Sequence, residues 1–325
     1  MFYIGVDVSK NSFNFCILNQ NQGILRSKSL PISREGFEQF LKIASQFSPN
    51  LVVLESSGRF HITLFAFLLS KGLNVFVLNP KVVCRFRAFI SANNPSKSDQ
   101  KDSFILALFA LANPHLLSPS SIPSETKLIA RQSEKLKQEF AEAKTQVKQA
   151  LAVLFPEAEN HLPIFSKTFL SILSLYPSAH AIARAGEEKI AEIIQTPGPG
   201  RKFSLSPSEL VSLAQNSIGL HHPGLEEILK FYVEKLLFLK PKIQKLEMLL
   251  KEEIEKSQGD QLKSLSSIKE ISPSLAARFL AEVGEIKRFA SAKKLIKYAG
   301  TDPVIKQSGK WKVEMGISKQ GNPHL

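Results

Sequence analysis

Four carboxylates stand out in a chain that uses aspartate sparingly. Its 325 residues include five aspartates, Asp7, Asp99, Asp102, Asp260 and Asp302, and three of them fall within the first 112 residues. That segment has only three other acids, Glu35, Glu38 and Glu55, beside twelve lysines and arginines. Scarcity makes their placement informative. Asp7 lies in "GVDVSK", where Val6 and Val8 of a strand would point to the opposite face. Glu55 closes the apolar run "LVVLE" and so emerges at the C-terminal end of a strand. Asp99 and Asp102 are one helical turn apart and share a face. If the first strand is central, the fourth lies beside it and the helix after residue 98 packs on that sheet, the four acids converge. Four like charges at one point need cations, and hard oxygen ligands suit Mg²⁺ or Mn²⁺. Two such ions about 3.5–4 Å apart activate an attacking oxygen and stabilise the leaving one on a phosphodiester. Nearby lysines, Lys97 and Lys101 among them, would hold the DNA backbone. Each acid also has a plainer reading: Asp99 as an acid favoured by the helix dipole, Glu55 as a surface strand end. Asp7 could begin the phosphate loop of an actin-like ATPase, but Val8 and Ser9 follow it where a glycine turn would be required.

The elements that must position these acids are legible from periodicity. Alternating, β-rich stretches at 2–8, 13–18 and 23–30 read as a three-strand meander. Residues 33–47 have helical spacing with Ser33 as N-cap. Apolar runs at 50–56 and 73–79 read as buried strands. Helices are expected at 60–72, at 80–90 with Pro80 in the first position, and at 99–112. The order βββαβαβα is that of the ribonuclease H-like fold, here as a domain over 1–115. A helical, coiled-coil region is expected over 116–260. In its first long helix Leu136, Phe140, Ala143, Val147 and Ala150 step by four and three. In its last, Leu225, Leu229, Tyr232, Leu236, Leu239, Ile243, Leu246 and Leu250 form a heptad seam, and Pro241 is expected to kink it. The seam serves either a hairpin within the chain or self-association into a dimer or tetramer. Residues 196–209 read as an exposed break. Residues 261–325 read as a small, mainly helical domain ending in a basic tail, with nine lysines and arginines against Asp302 and Glu314 after residue 285.

The bulk composition narrows the partners. Net charge is +13 and 43% of residues are hydrophobic. The chain is therefore foldable, and its field attracts polyanions, nucleic acid first among them. No apolar run reaches the ~18–20 residues needed to span a bilayer, so no membrane partner is expected. Cys16 and Cys84 are the only cysteines, each in an apolar setting. Both are expected to be buried and reduced, without disulfide or zinc site, in a cytoplasmic protein.

Three stretches carry a resemblance. "GVDVSKNSFNFCIL", "VVLESSGRFHITLFAFLLSKGLNVFVLNP" and "SKSDQKDSFILALFA" resemble the DEDD transposases of the insertion sequence 110 class, a pattern shared with Piv-type DNA invertases. The tail, "KKLIKYAGTDPVIKQSGKWKVEMGISKQGNPHL", is similar to that family's C-terminal transposase domain. The resemblance implies that the domain over 1–115 is RuvC-like, that its Asp7, Glu55, Asp99 and Asp102 bind divalent metal, and that a serine in the C-terminal domain attacks DNA phosphate. Ser308 in "QSGK" is the matching position, with Ser318 in "ISKQGN" the lesser candidate. Lys306, Lys310, Lys312 and Lys319 would then face nucleic acid. The resemblance also implies a structured guide RNA, an active site shared between copies of a homo-oligomer, and a place in the bacterial cytoplasm at the nucleoid.

Two departures from the family pattern are visible. A Pro-Gly-Ile-Gly type turn is replaced by "KEISPSLAA", and the chain stops after "GNPHL", where the family usually continues through further helices. The C-terminal domain is therefore expected to be truncated. The functional expectation is a metal-dependent transposase. Its alternatives are a Piv-type site-specific invertase and a catalytically dead nucleic-acid-binding remnant.

Overall fold

The computed structural model of the chain describes residues 1–56, 58–90, 99–117, 122, 124–195, 203–308, 311–319 and 321–325. These form two compact units, 1–123 and 124–325.

The first unit is built on a five-stranded sheet. Its strands are β1 (Phe2–Val8), β2 (Ser12–Leu18), β3 (Ile24–Pro31), β4 (Asn50–Glu55) and β5 (Val75–Leu78), in the order β3-β2-β1-β4-β5. The first three run antiparallel as a meander, while β1, β4 and β5 are parallel. The first strand is thus central with the fourth beside it, as the convergence of the acids requires. Helices α1 (Arg34–Ala44), α2 (His61–Ser70), α3 (Pro80–Ile90) and α4 (Asp99–Ala112) cover the sheet. Ser33 caps α1 by accepting the Gly36 amide.

Strand alternation splits the core into two layers. Ile4, Val6, Val8, Phe13, Phe15, Ile17, Val52 and Leu54 face α1 and α2, where Phe37, Phe40, Leu64 and Leu68 meet them. Tyr3, Cys16, Leu18, Leu51 and Val53 face Val83 of α3 and the buried Ile105, Leu106, Ala107, Phe109 and Ala110 of α4. The expectation that both cysteines are buried fails at one. Cys16 is enclosed, and burial pushes its thiol up to about 11, but Cys84 is exposed. The only buried residue of α3 is Val83, and the next position on a helix turns about 100° away.

The second unit contains α5 (Glu125–Leu154), α6 (Ala158–His161), α7 (Lys167–Leu175), α8 (Ala179–Gln195), α9 (Pro207–Gln215), α10 (Pro223–Ser266), α11 (Pro273–Val283) and α12 (Ala292–Ala299). The α5 and α10 helices pack as an antiparallel pair. Val147, Leu151 and Leu154 near the end of α5 meet Leu229, Val233 and Leu236 near the start of α10. Ala130 at the other end meets Leu250, Ile254 and Leu262. The heptad seam of α10 therefore faces a neighbour in its own chain. Helical backbone angles continue through Pro241, and the residue that leaves them is Gln258 (φ −144°, ψ 40°). Pro241 is exposed, so water can satisfy the carbonyl that proline leaves without a donor.

The basic tail also differs from expectation. The expected helices are α11 and α12, but after α12 the stretch read as a basic tail forms an antiparallel pair of strands, β6 (Pro303–Ser308) and β7 (Trp311–Ile317). The run "PVIKQSGKWKVEMGI" has β-rich stretches on either side of "GK", a sequence pattern for paired strands that net charge obscured. In "KEISPS", Glu270 adopts φ 74°. The backbone is left-handed at a glycine-free turn, a conformation that glycine takes at no steric cost.

Candidate active site

The sheet register places the first two acids. Val6 of β1 pairs with Leu54 of β4, so Asp7 and Glu55, one residue further along parallel strands, stand side by side. Alternation puts both on the face that carries Tyr3, Gly5, Leu51 and Val53, the face covered by α4. Across the other edge of β1, Asp7 pairs with Asn14 of β2, which is only 7% exposed. Sequence reading passed over Asn14. Its one signal was a polar residue at an inward position of the run "FNFCIL".

The third acid arrives on α4, and Gly5 sets how closely. A Cβ at Gly5 would overlap the Ser103 carbonyl oxygen and the Ala107 amide nitrogen. The helix backbone thus rests directly on β1, two residues from Asp7, with Asp102 adjacent to the fully buried Ser103. Asp102 is ion-paired with Arg87 of α3, Nη2 to Oδ1 at 2.9 Å, with side-chain exposures of 20% and 18%. Asp99 begins α4 three residues earlier, and only its backbone is described.

Among the described residues, no three His, Cys, Asp or Glu side chains gather into a metal-holding group. Asp7 and Glu55 are brought together, while Asp102 is engaged by a guanidinium. The donor set nonetheless suits a hard divalent ion. Carboxylate oxygens are the ligands Mg²⁺ and Mn²⁺ prefer, and Arg87 already places positive charge against one of them.

The serine candidates lie in the second unit. Ser308 is the last residue of β6 and pairs with Trp311 of β7; of Ser308, as of Lys306 on β6 and Lys312 on β7, only the backbone is described. Lys97 and Lys310 lie outside the described residues. Lys101 is exposed on the first turn of α4. Lys319 is exposed, with φ 51°, and its amide donates to the Gly300 carbonyl at 2.9 Å. Ser318 donates to Asp302 Oδ1 at 2.5 Å and lies 3.2 Å from the Gly300 carbonyl. Those bonds tie the end of β7 back to the end of α12.

Comparison with known proteins places this arrangement in a class. The profile of the IS110-type DEDD transposases, described simply as a transposase, matches residues 4–156 and so contains all four acids. The profile described as the transposase IS116/IS110/IS902 family matches residues 262–325, which contain both serines. A mini-circle protein of Streptomyces coelicolor, described as a candidate transposase for IS117, is 22% identical over 331 residues, covering 95% of this chain and 78% of its own length. The pilin gene-inverting proteins of Moraxella lacunata and Moraxella bovis are each 25% identical over 158 residues. That alignment covers 46% of this chain and 47% of theirs. The chain belongs to the IS110 family of DEDD transposases. Among the described residues, no helix is long and apolar enough to cross a membrane.

Proposed function

We propose that the chain recombines DNA by divalent-metal-dependent phosphoryl transfer, on a RuvC-like, ribonuclease H-like first unit, with Ser308 as nucleophile. The observation that carries this reading is the register that sets Asp7 beside Glu55 on the sheet face beneath α4. Asp7, Glu55, Asp99 and Asp102 would hold Mg²⁺ or Mn²⁺, which when bound supplies charge neutralisation at the phosphate. The protein's own part is to position. Strands β1 and β4 fix two carboxylates in adjacent register, and Gly5 lets α4 bring the others close.

In the reaction, the Ser308 hydroxyl oxygen forms a bond to phosphorus and gives up its proton. A deoxyribose oxygen leaves with the electron pair of the broken P–O bond and is protonated. The phosphoserine ester retains the energy of the phosphodiester, so a second DNA end can reverse the step without ATP. The reading includes DNA as substrate, a structured guide RNA, a bacterial nucleoid setting, and Lys97, Lys101, Lys306, Lys310, Lys312 and Lys319 as backbone contacts. The +13 charge supports a polyanionic partner. It also includes a homo-oligomer whose copies share the serine and the acids. Because the α10 seam faces α5, self-association would use the outward residues Ile228, Phe231 and Phe238, which are 50%, 60% and 63% exposed.

The test incubates the full chain with Mg²⁺, DNA bearing its own element's ends and RNA transcribed from the flanking sequence. A covalent protein–DNA adduct is expected on a denaturing gel with wild type and is lost in Ser308→Ala and in Asp102→Asn. An adduct that persists in Ser308→Ala would move the nucleophile elsewhere. Similarity to the pilin gene-inverting proteins supports a second reading, site-specific inversion. It predicts inversion of a segment between two sites on one molecule in place of joining to a separate target.

A further inference from the structure

Arg87 is a cation already paired with one of the candidate acids, Asp102. It belongs to α3, whose sequence "PKVVCRFRAFI" carries three basic residues and no acid. Lys81 and Arg85 are exposed on that helix, whereas Arg87 turns inward and is 20% exposed. Its Nη2 reaches Asp102 at 2.9 Å. Its Nε is buried and has no hydrogen-bond partner among the described residues. A guanidinium whose five donors are fully engaged would be a fixed structural bond. This one is held through an outer nitrogen, with another donor left unsatisfied, so its seat is incomplete and its release is correspondingly less costly.

We propose that Arg87 is a positioning residue and built-in counter-cation of the acid site. It holds the Asp102 carboxylate in place while no divalent cation is bound, and yields that carboxylate when one arrives. This rests on the reading of Asp102 as a metal ligand. The logic is competitive. A carboxylate paired with a guanidinium is a poorer ligand than a free one, because binding must first break a charge-assisted bond. An acid cluster with no cation of its own would pay repulsion in the metal-free state. Arg87 relieves that repulsion and lowers the apparent affinity for the ion by the same contact.

The experiment is a Mn²⁺ titration of the full chain, read by electron paramagnetic resonance of free Mn²⁺, for wild type, Arg87→Gln, Arg87→Lys and Asp7→Asn. Arg87→Gln is expected to bind Mn²⁺ about tenfold more tightly, the equivalent of one charge-assisted hydrogen bond. Arg87→Lys keeps the charge without the planar fork and is expected to fall between Arg87→Gln and wild type. If Arg87→Gln fails to fold by circular dichroism, Arg87→Lys carries the test, with affinity above wild type expected. Affinity at or below wild type in the folded variants overturns the proposal, because a merely structural arginine would leave it there. Binding that Asp7→Asn leaves intact, or no binding by wild type, overturns the acid-site reading itself and the proposal with it.

Discussion

Glu282 of α11 keeps its charge inside the second unit, where it is 3% exposed, because several donors meet it there. Arg131 grips both carboxylate oxygens, Nε at 2.7 Å and Nη2 at 3.1 Å, and Asn322 donates from its amide at 2.7 Å. Lys127 lies 3.5 Å away. Burial works against the charge, but the hydrogen bonds from Arg131 and Asn322 and the two cationic charges together outweigh it. The carboxyl therefore titrates below its ordinary value of 4.5. A lowered folded pKa contributes stability that is fully present above the ordinary value and is lost as pH falls through the folded one. The second unit is thus expected to hold its stability at neutral pH and to weaken below about pH 4.5. Glu282→Gln removes the charge that Arg131 and Lys127 face. The expected cost is about 3 kcal/mol, the lower end for a broken buried pair because Arg131 remains 41% exposed. Urea unfolding followed by the fluorescence of Trp311, the single tryptophan, checks both. A Glu282→Gln protein that unfolds with wild type's midpoint and pH dependence would refute this account. Sequence reading did not single out Glu282, because its partners Arg131 and Asn322 lie 151 and 40 residues away. The four acids were different. Scarcity and spacing marked them, whereas the Arg87–Asp102 pair is a contact between helices that no periodicity encodes.

Among elements, β1 and α4 do most to build the candidate site. Their bounds were legible because α4 is a nearly continuous apolar run after its first turn and β1 is a short β-rich run that ends before the polar stretch Ser9–Asn11. Their spacing was not, because it depends on Gly5 lacking a side chain. Gly5→Ala would drive a methyl into the Ser103 and Ala107 backbone. The helix must then lift from the sheet, at an expected cost of about 1–3 kcal/mol for overpacking. The same displacement carries Asp102 away from Asp7, so Mn²⁺ affinity is expected to fall even where the protein stays folded. Thermal unfolding and metal titration of Gly5→Ala together test this, and unchanged metal affinity in a destabilised protein would separate packing from positioning. The second unit was read less well. Its long helices were plain from their periodicity, but the seam of α10 fitted a partner in this chain or in another copy equally, and packing on α5 is what the fold uses. The terminal pair of strands was hidden because its lysines drew attention to charge ahead of β-rich composition.

Across the whole molecule, acid and base are unevenly distributed. The chain carries a net charge of +13, and the few carboxylates of its first unit include two in adjacent sheet register. Diffuse positive charge gathers a polyanion without choosing a sequence, while grouped carboxylates would repel it unless a cation stands between them. That opposition is the physical reason for reading the acids as a metal site. The most direct measurement is Mn²⁺ binding to the full chain by wild type, Asp7→Asn, Glu55→Gln and Asp102→Asn, each checked for native circular dichroism. The account predicts saturable binding by wild type and a loss of at least about tenfold in affinity in each variant, one ligand's worth of charge and coordination. Wild-type protein that binds no Mn²⁺, or three folded variants that bind it as wild type does, would contradict it.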